Sequence, residues 1–257
     1  MAWAIFQNDL EKPDVDILTD AFRTVPSLTD TDAAILARDA YGVLVEGISQ
    51  QDAQILQNAL RARNIVDTAV EQNEVPRLPG PKALRKAECR PDAFVLIDLY
   101  DRQHPVPWSS VRLVTAGSMM KSESVRKERT RYVLRGGPAV GHGAMPIALT
   151  DVEYKREEQM TFLVDLFLDM APARYQIDAA NFFCNPPETV RPPTPKEKFV
   201  FIASQLVESA TDAWLNRGAA ALKKDRNTVY HYPNTHAYDE EIRWLVWQSD
   251  YRLPAGN

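Results

Sequence analysis

The chain has 257 residues, of which 45% are hydrophobic, and its formal net charge at pH 7 is −5. These values are typical of a globular protein with a substantial core and exclude a largely disordered chain. Cys89 and Cys184 have no CxxC spacing, which disfavours a zinc ribbon, a thioredoxin-like centre and a disulfide scaffold. The sequence shows no signal-like N-terminal run and no long apolar stretch, so we expect a cytoplasmic protein without a membrane span.

Charge is distributed unevenly along the chain. Residues 1–76 hold 5 Lys and Arg against 13 Asp and Glu, residues 77–135 hold 13 against 6, and residues 136–257 hold 12 against 16. A basic middle segment can mark a contact surface for an acidic partner or a nucleic acid. It can equally let the acidic and basic lobes dock on each other. Both interpretations stay open at this point.

Residues 1–78 show hydrophobic patterns that alternate between strand and helix periods. Ser49, followed by Asp52, is typical of a helix start, and the proline at position 26 ends an earlier helix. The predicted elements are, in order, a strand at 3–6, a helix at 13–22, a helix at 29–40, a strand at 41–45, a helix from Ser49 to about 60 and a strand at 66–70. The order is therefore β, α, α, β, α, β.

This order, with residues 44–53 leading into Leu56 and Leu60, resembles the C-terminal domain of the bacterial ribosomal stalk protein over about residues 3–71. The resemblance implies a small α/β sandwich. That family binds translation factors through a positively charged helix face, whereas this lobe is acidic and its third helix has only Arg61 and Arg63 near its end. Factor binding is therefore not expected here.

Three prolines within residues 75–82 indicate a stiff connector, so we place a boundary near residue 79 between lobes at 1–78 and 79–257. Beyond it, the pattern predicts an antiparallel sheet with an insertion at 118–158, where the chain is expected to leave the sheet. The elements are a hairpin of 83–89 with 93–99, a strand at 111–116, a second pair of 160–169 with 174–183, and helices within 196–250.

Residues 94–97 and 111–114, with Pro107 and Trp108 between them and a helix from about Lys196, resemble bacterial pleckstrin-homology-like barrels. That family has seven strands closed by a terminal helix, and about five strands are predicted here. The expected fold class is α+β: a small α/β sandwich lobe followed by a mostly antiparallel pleckstrin-homology-like sheet or barrel with C-terminal helices.

The insertion contains the candidate partner-binding residues. Its basic run can dock an acidic surface, and the cations would also suit phosphate contacts, although the sequence pI of about 5.5 and the lack of paired aromatic residues disfavour nucleic acid. These candidate residues are Arg126, Lys127, Arg129, Arg131 and Arg135.

No residue is assigned a catalytic, cofactor-binding or metal-ligating role. His142, in a glycine-rich loop, could act as a general base, but no recognisable nucleophile motif accompanies it. His231 and His236 are five residues apart, a spacing that does not bring two ligands to one helical face, and Asn234 or Thr235 more simply caps the last helix.

The sequence thus favours a non-enzymatic intracellular adaptor that engages a protein partner, possibly an acidic one, without a cofactor. Two alternatives remain: a hydrolase or metal-dependent enzyme that uses His142 or the His231 and His236 pair, and a nucleic-acid or ribosome-associated protein that uses the basic insertion. The oligomeric state stays open.

Overall fold

The computed structural model describes residues 1–98, 100–135, 145–169, 173–184 and 191–252, with the backbone alone at 123–128, 131–135, 145–157 and 250–252. Within this part of the chain the fold is α+β, with mostly antiparallel sheets, as predicted. The helices are α1 Val15–Phe22, α2 Asp30–Asp39, α3 Gln50–Arg61, α4 Pro195–Ser209, α5 Arg217–Lys224 and α6 Thr235–Arg252. The strands are β1 Ala2–Gln7, β2 Val43–Ser49, β3 Asp67–Glu71, β4 Lys82–Ala83, β5 Lys86–Cys89, β6 Ala93–Ile97, β7 Gln103–Pro107, β8 Val111–Arg135, β9 Met145–Leu168, β10 Ala173–Asp178, β11 Trp214–Leu215 and β12 His231–Tyr232.

The N-terminal lobe has the predicted order of β1, α1, α2, β2, α3 and β3. Its antiparallel sheet has the order β2-β1-β3, and α1, α2 and α3 share a core with one face of that sheet. The caps follow from the sequence: Thr29 and Asp32 form a capping box at α2, and the Ser49 hydroxyl accepts from the Asp52 amide at α3.

The opposite face of this sheet packs against α6, which ties the lobe to the rest of the chain. Trp244 Nε1 donates to Gln7 O over 2.8 Å, and Gln248 Nε2 donates to the same oxygen over 2.9 Å. The Phe6 ring meets Trp247 edge-on with centroids 4.8 Å apart. At Gly42, with φ +77, an added Cβ would lie 2.5 Å from the Trp244 ring. The lobe is therefore fitted closely to α6 rather than tethered only by the linker.

The second half is built on a sheet of order β11-β8-β9-β10-β4, in which β12 also pairs with β8. One face of β8 and β9 shares a core with α4 and α5, and the other shares a core with α6. Helix α6 thus lies between two sheets. The predicted pairing of 160–169 with the segment after it is confirmed, with β10 ending at Asp178.

A separate three-stranded sheet has the order β5-β6-β7. The predicted hairpin of β5 and β6 is confirmed, but residues 103–107, where no strand was predicted, form β7. Pro105 and Pro107 fit there because β7 is an edge strand, where a missing amide donor leaves no ladder bond unmade. Strands β6 and β8 accordingly belong to different sheets, and none of the sheets closes into a barrel among the described residues, so the pleckstrin-homology-like barrel is not confirmed.

Candidate functional site

The candidate site lies on a two-stranded ribbon where β8 and β9 leave the body. Met119 is fully buried, whereas its neighbour Met120 is 37% exposed and the paired Met160 is 43% exposed. Beyond this pair, Lys121 and Gln159 are exposed. The folded body therefore ends at Met120 and Met160, and the strands continue past it.

Within the predicted insertion at 118–158, the described residues 118–135 and 145–158 do not leave the sheet as the sequence suggested. Strand pairing runs in register from Leu113 opposite Phe167 to Arg135 opposite Met145, and the one register shift lies at the start, between Val111 and Leu113. At about 3.3 Å per residue, positions 121–135 extend about 45–50 Å. Charged residues disfavour a strand prediction, but cross-strand pairing overrides that weak propensity.

The register places the predicted site residues on the ribbon. Lys127, Arg129, Arg131 and Arg135 are an even number of positions apart on one strand and so fall on one face, while Arg126 falls on the other. Arg129 is exposed. The side chains of the other four lie outside the described part of the structure.

The sequence interpretation missed the acidic residues of the second strand. Lys127 is opposite Glu153 and Arg129 is opposite Asp151, so oppositely charged residues occupy paired positions. The strand at 121–135 has six cationic residues against two acidic ones, and the strand at 145–159 has two against four. The ribbon is therefore only mildly basic overall. The cations whose register partner is uncharged are Lys121, Arg126, Arg131, Arg135, Lys155 and Arg156. The acidic residues within 151–158, compared with the basic run before them, were the sequence signal that could have predicted this pairing.

The distal ribbon is apolar in sequence on both strands. Residues 132–134 read Tyr-Val-Leu, and their register partners at 146–148 read Pro-Ile-Ala, with Met145 and Leu149 on either side. Isolated two-stranded ribbons are marginal in water, and an apolar sequence at the far end of such a ribbon is typical of an interaction site. The ribbon thus combines cations with an apolar end beyond the body.

A buried network anchors the base of the ribbon. Tyr238 Oη donates to Asp165 Oδ2 over 2.8 Å and lies 2.7 Å from Thr115 Oγ1. Arg174 binds Asp165 through Nε (2.9 Å) and Asp239 through Nη2 (2.7 Å). Although burial disfavours its charge, these two carboxylates raise the pKa of Arg174. The network thus joins β8, β9, β10 and α6 within the body, next to the point where the ribbon begins.

A second network lies beside it at β11 and α5. Asn216 caps α5 and bonds both backbone groups of Ala116, with its Oδ1 2.9 Å from the Ala116 amide nitrogen. Glu241 accepts from Tyr232 Oη (2.9 Å) and from Arg217 Nε (2.8 Å). Burial opposes the charge on Arg217, but Glu241 outweighs it and raises the pKa of that guanidinium. These buried charges are paired, which indicates a structural role.

The histidine alternative gains no geometric support. His231 lies in β12 and His236 in the first turn of α6, where its Nε2 is 3.2 Å from Glu240. His231 Nδ1 is 3.4 Å from Ser118 Oγ, but that hydroxyl is buried and also within bonding distance of the Tyr230 carbonyl (3.2 Å). In the described residues, no group of three or more His, Cys, Asp and Glu side chains could hold a metal ion. His142 falls outside them.

Two surface clefts and the two cysteines lie outside the ribbon. A cleft of about 450 Å³ lies between the linker and α6 and includes Arg77 and Glu240, and a groove of about 750 Å³ follows α4. Neither cleft lining contains a cysteine or a serine paired with a base. Burial raises the pKa of the Cys89 thiol to about 12 and also raises the pKa of Cys184, which disfavours a thiolate nucleophile.

No known family, curated protein or solved structure matches this chain. No helix in the described residues has both the length and the apolar character needed to cross a membrane. Function therefore has to be inferred from the ribbon and its surroundings.

Proposed function

We propose that the chain is a non-enzymatic binding protein that engages an acidic protein partner through the ribbon at 121–135 and 145–159. The supporting observation is the continuous register past Met120, which sets cationic positions and an apolar end outside the body. The anchored base favours binding because a surface held in one orientation loses less entropy when it docks.

A protein partner fits the ribbon better than a nucleic acid. Glu153 and Asp151 stand opposite Lys127 and Arg129, so the ribbon offers alternating charges rather than the continuous cationic track that phosphates require. Its apolar end suits a partner with exposed apolar side chains of its own. Backbone edges along the strands offer further hydrogen bonds to an extended segment.

The test compares two quadruple variants that lose the same charge. One replaces Arg126, Lys127, Arg129 and Arg131 by Ala on the ribbon, and the control replaces Arg61, Lys196, Lys223 and Lys224, which are exposed on the body. The probe is fluorescently labelled poly-L-glutamate, followed by anisotropy at low salt, with circular dichroism to verify folding.

We expect the ribbon variant to bind the probe at least tenfold more weakly than the wild type, and the control to bind within about twofold of it. Equal weakening in both variants, or no measurable binding by the wild type, would contradict the proposal. A labelled single-stranded RNA is the second probe. If RNA binds more tightly than poly-L-glutamate and weakens steeply with salt, the nucleic-acid alternative replaces the proposed one.

A further inference from the structure

The N-terminal lobe exposes a segment whose chemistry complements the ribbon. Residues 9–17, here called the acidic segment, contain Asp9, Glu11, Asp14 and Asp16 and one cation, Lys12. Apolar side chains alternate with these acids: Leu10 is 53% exposed, Val15 37% and Ile17 42%. Large apolar side chains exposed among carboxylates are what a basic, apolar-ended partner would cover.

The acidic segment is held in place by hydrogen bonds to its surroundings. Lys12 Nζ donates to Arg38 O at the end of α2 over 3.1 Å, and Tyr41 Oη donates to Leu10 O over 3.0 Å. Asp14 Oδ1 accepts from the amides of Asp16 (2.9 Å) and Ile17 at the start of α1. Ordering of this segment on binding would therefore cost little.

The carboxylates of the acidic segment are available for a partner. Asp9, Glu11 and Asp16 are exposed, and none of them forms an ion pair with another described residue. Arg38, the nearest cation on α2, already pairs with Asp39 over 2.8 Å. Within the described residues, the segment thus has three carboxylates without an ion-pair partner, and they lie beside exposed apolar side chains.

Among the described residues, no hydrogen bond or ion pair joins the ribbon to the acidic segment of its own chain. The register contains no bulge between Leu113 and Arg135, and bulges are where paired strands bend sharply. The lobe itself is fixed on α6 through Trp244 and Gln248. The acidic segment can therefore receive a ribbon from a different molecule.

We propose, building on the ribbon's proposed role in binding, that its partner is a second copy of this chain and that it docks on the acidic segment. The cations at Arg129, Arg131 and Arg135 lie against Asp9, Glu11 and Asp16 of the other copy. The apolar ends of the ribbon cover Leu10, Val15 and Ile17.

The ribbon and the acidic segment are different surfaces, so each contact joins unlike surfaces of two copies. Two copies can exchange ribbons reciprocally, or further copies can add in a row, and both arrangements make the mass depend on concentration. Because opposite charges meet at an exposed interface, the association weakens as salt rises.

A charge exchange between the surfaces tests this inference. One variant reverses the acidic segment with Asp9→Lys, Glu11→Lys and Asp16→Lys; it leaves Asp14 because that residue caps α1. The other reverses the ribbon with Arg129→Glu, Arg131→Glu and Arg135→Glu. Masses are measured by light scattering over a hundredfold range of concentration, with circular dichroism to check folding.

We expect the wild type to exceed its monomer mass of 29.0 kDa as concentration rises, and each variant alone to remain at that mass. The equimolar mixture should regain the association because each reversed surface finds its complement on the other variant. A monomeric wild type, an acidic-segment variant that associates like the wild type, or a mixture that stays monomeric would each overturn the inference.

The two proposals fail in distinguishable ways. A wild type that binds poly-L-glutamate through its ribbon yet stays monomeric at every concentration removes the second copy as partner and leaves the binding function intact. A wild-type protein that neither binds poly-L-glutamate nor self-associates contradicts both proposals.

Discussion

Asp67 is a carboxylate whose position in the N-terminal lobe opposes its ionisation. It is buried where β3 begins; its Oδ2 accepts from Gln57 Nε2 over 2.7 Å, while its Oδ1 has no hydrogen-bond partner among the described residues. Gln7 occupies the paired position on β1, and its Oε1 is likewise unpartnered. Two buried acceptor oxygens, Asp67 Oδ1 and Gln7 Oε1, are therefore without a hydrogen-bond donor in the described part of the structure. Burial raises the pKa of Asp67, and the bond from Gln57 offsets this only in part.

The raised pKa predicts how Asp67→Asn changes stability with pH. The folded state holds the Asp67 proton more tightly than the unfolded chain does. The contribution of Asp67 to the free energy of unfolding is therefore fully present below the unfolded pKa of about 3.9, and it is lost as pH rises through the folded pKa. The amide does not titrate and supplies a donor. We expect the variant to gain up to about 1 kcal/mol over the wild type at neutral pH, and to lose that advantage as pH falls.

Urea unfolding at several pH values measures this difference. Asp9→Asn, at an exposed carboxylate, controls for the lost charge. If Asp67→Asn is less stable than the wild type by the same amount at every pH, the ionised carboxylate is favourable in the fold and the expectation is wrong.

The ribbon is the element that can be removed without disturbing the body. Its boundary is set by burial, because Met119 is fully enclosed and the paired Met120 and Met160 are partly exposed. Replacing residues 121–159 by Asn-Gly joins that pair through a two-residue type I′ turn. We expect the shortened protein to keep its secondary structure and to melt within about 4 °C of the wild type.

A deeper cut provides the control. Replacing residues 118–162 by Asn-Gly joins Gly117 to Leu163, but it removes buried Met119 and the bonds between β8 and β12. That version should lose about 3 kcal/mol or more, by the cost of emptying a core site. Circular dichroism melts compare the three proteins; equal damage from both cuts would show that the ribbon is part of the body's fold.

Local chemistry explains which elements were predictable. The lobe's helices were found because Thr29 and Ser49 cap them, and Asn234 caps α6 as predicted, with its Oδ1 2.9 Å from the Ala237 amide nitrogen. The ribbon was not predicted, because residues such as Lys127 and Glu153 have a low strand propensity individually. They favour a strand only when they are paired across it. Pairing of distant residues is a property of the fold, which explains why the candidate cations were found but not their acidic counterparts.

Helix α6 packs against both lobes despite the proline-rich linker between them. Its residues share a core with Phe6 and Val70 of the N-terminal sheet and with Leu113 and Leu163 of the central sheet. Arg243 Nη2 adds an ion pair with Glu46 of the lobe over 2.6 Å. Unfolding either sheet would uncover the buried face of α6, so neither is expected to unfold alone.

This arrangement predicts a single unfolding transition, recorded alike by far-UV circular dichroism and tryptophan fluorescence. Trp244→Ala should cost about 3–5 kcal/mol, because it removes a fully buried ring and the bond to Gln7 O. Amide hydrogen exchange should then accelerate in β1 and in β8 together, whereas Tyr100→Ala, at an exposed ring, should leave both unchanged. Two separated transitions in the wild type, or faster exchange confined to the N-terminal lobe of the variant, would contradict this expectation. Either result would show that the two lobes fold independently, although α6 contacts the N-terminal lobe.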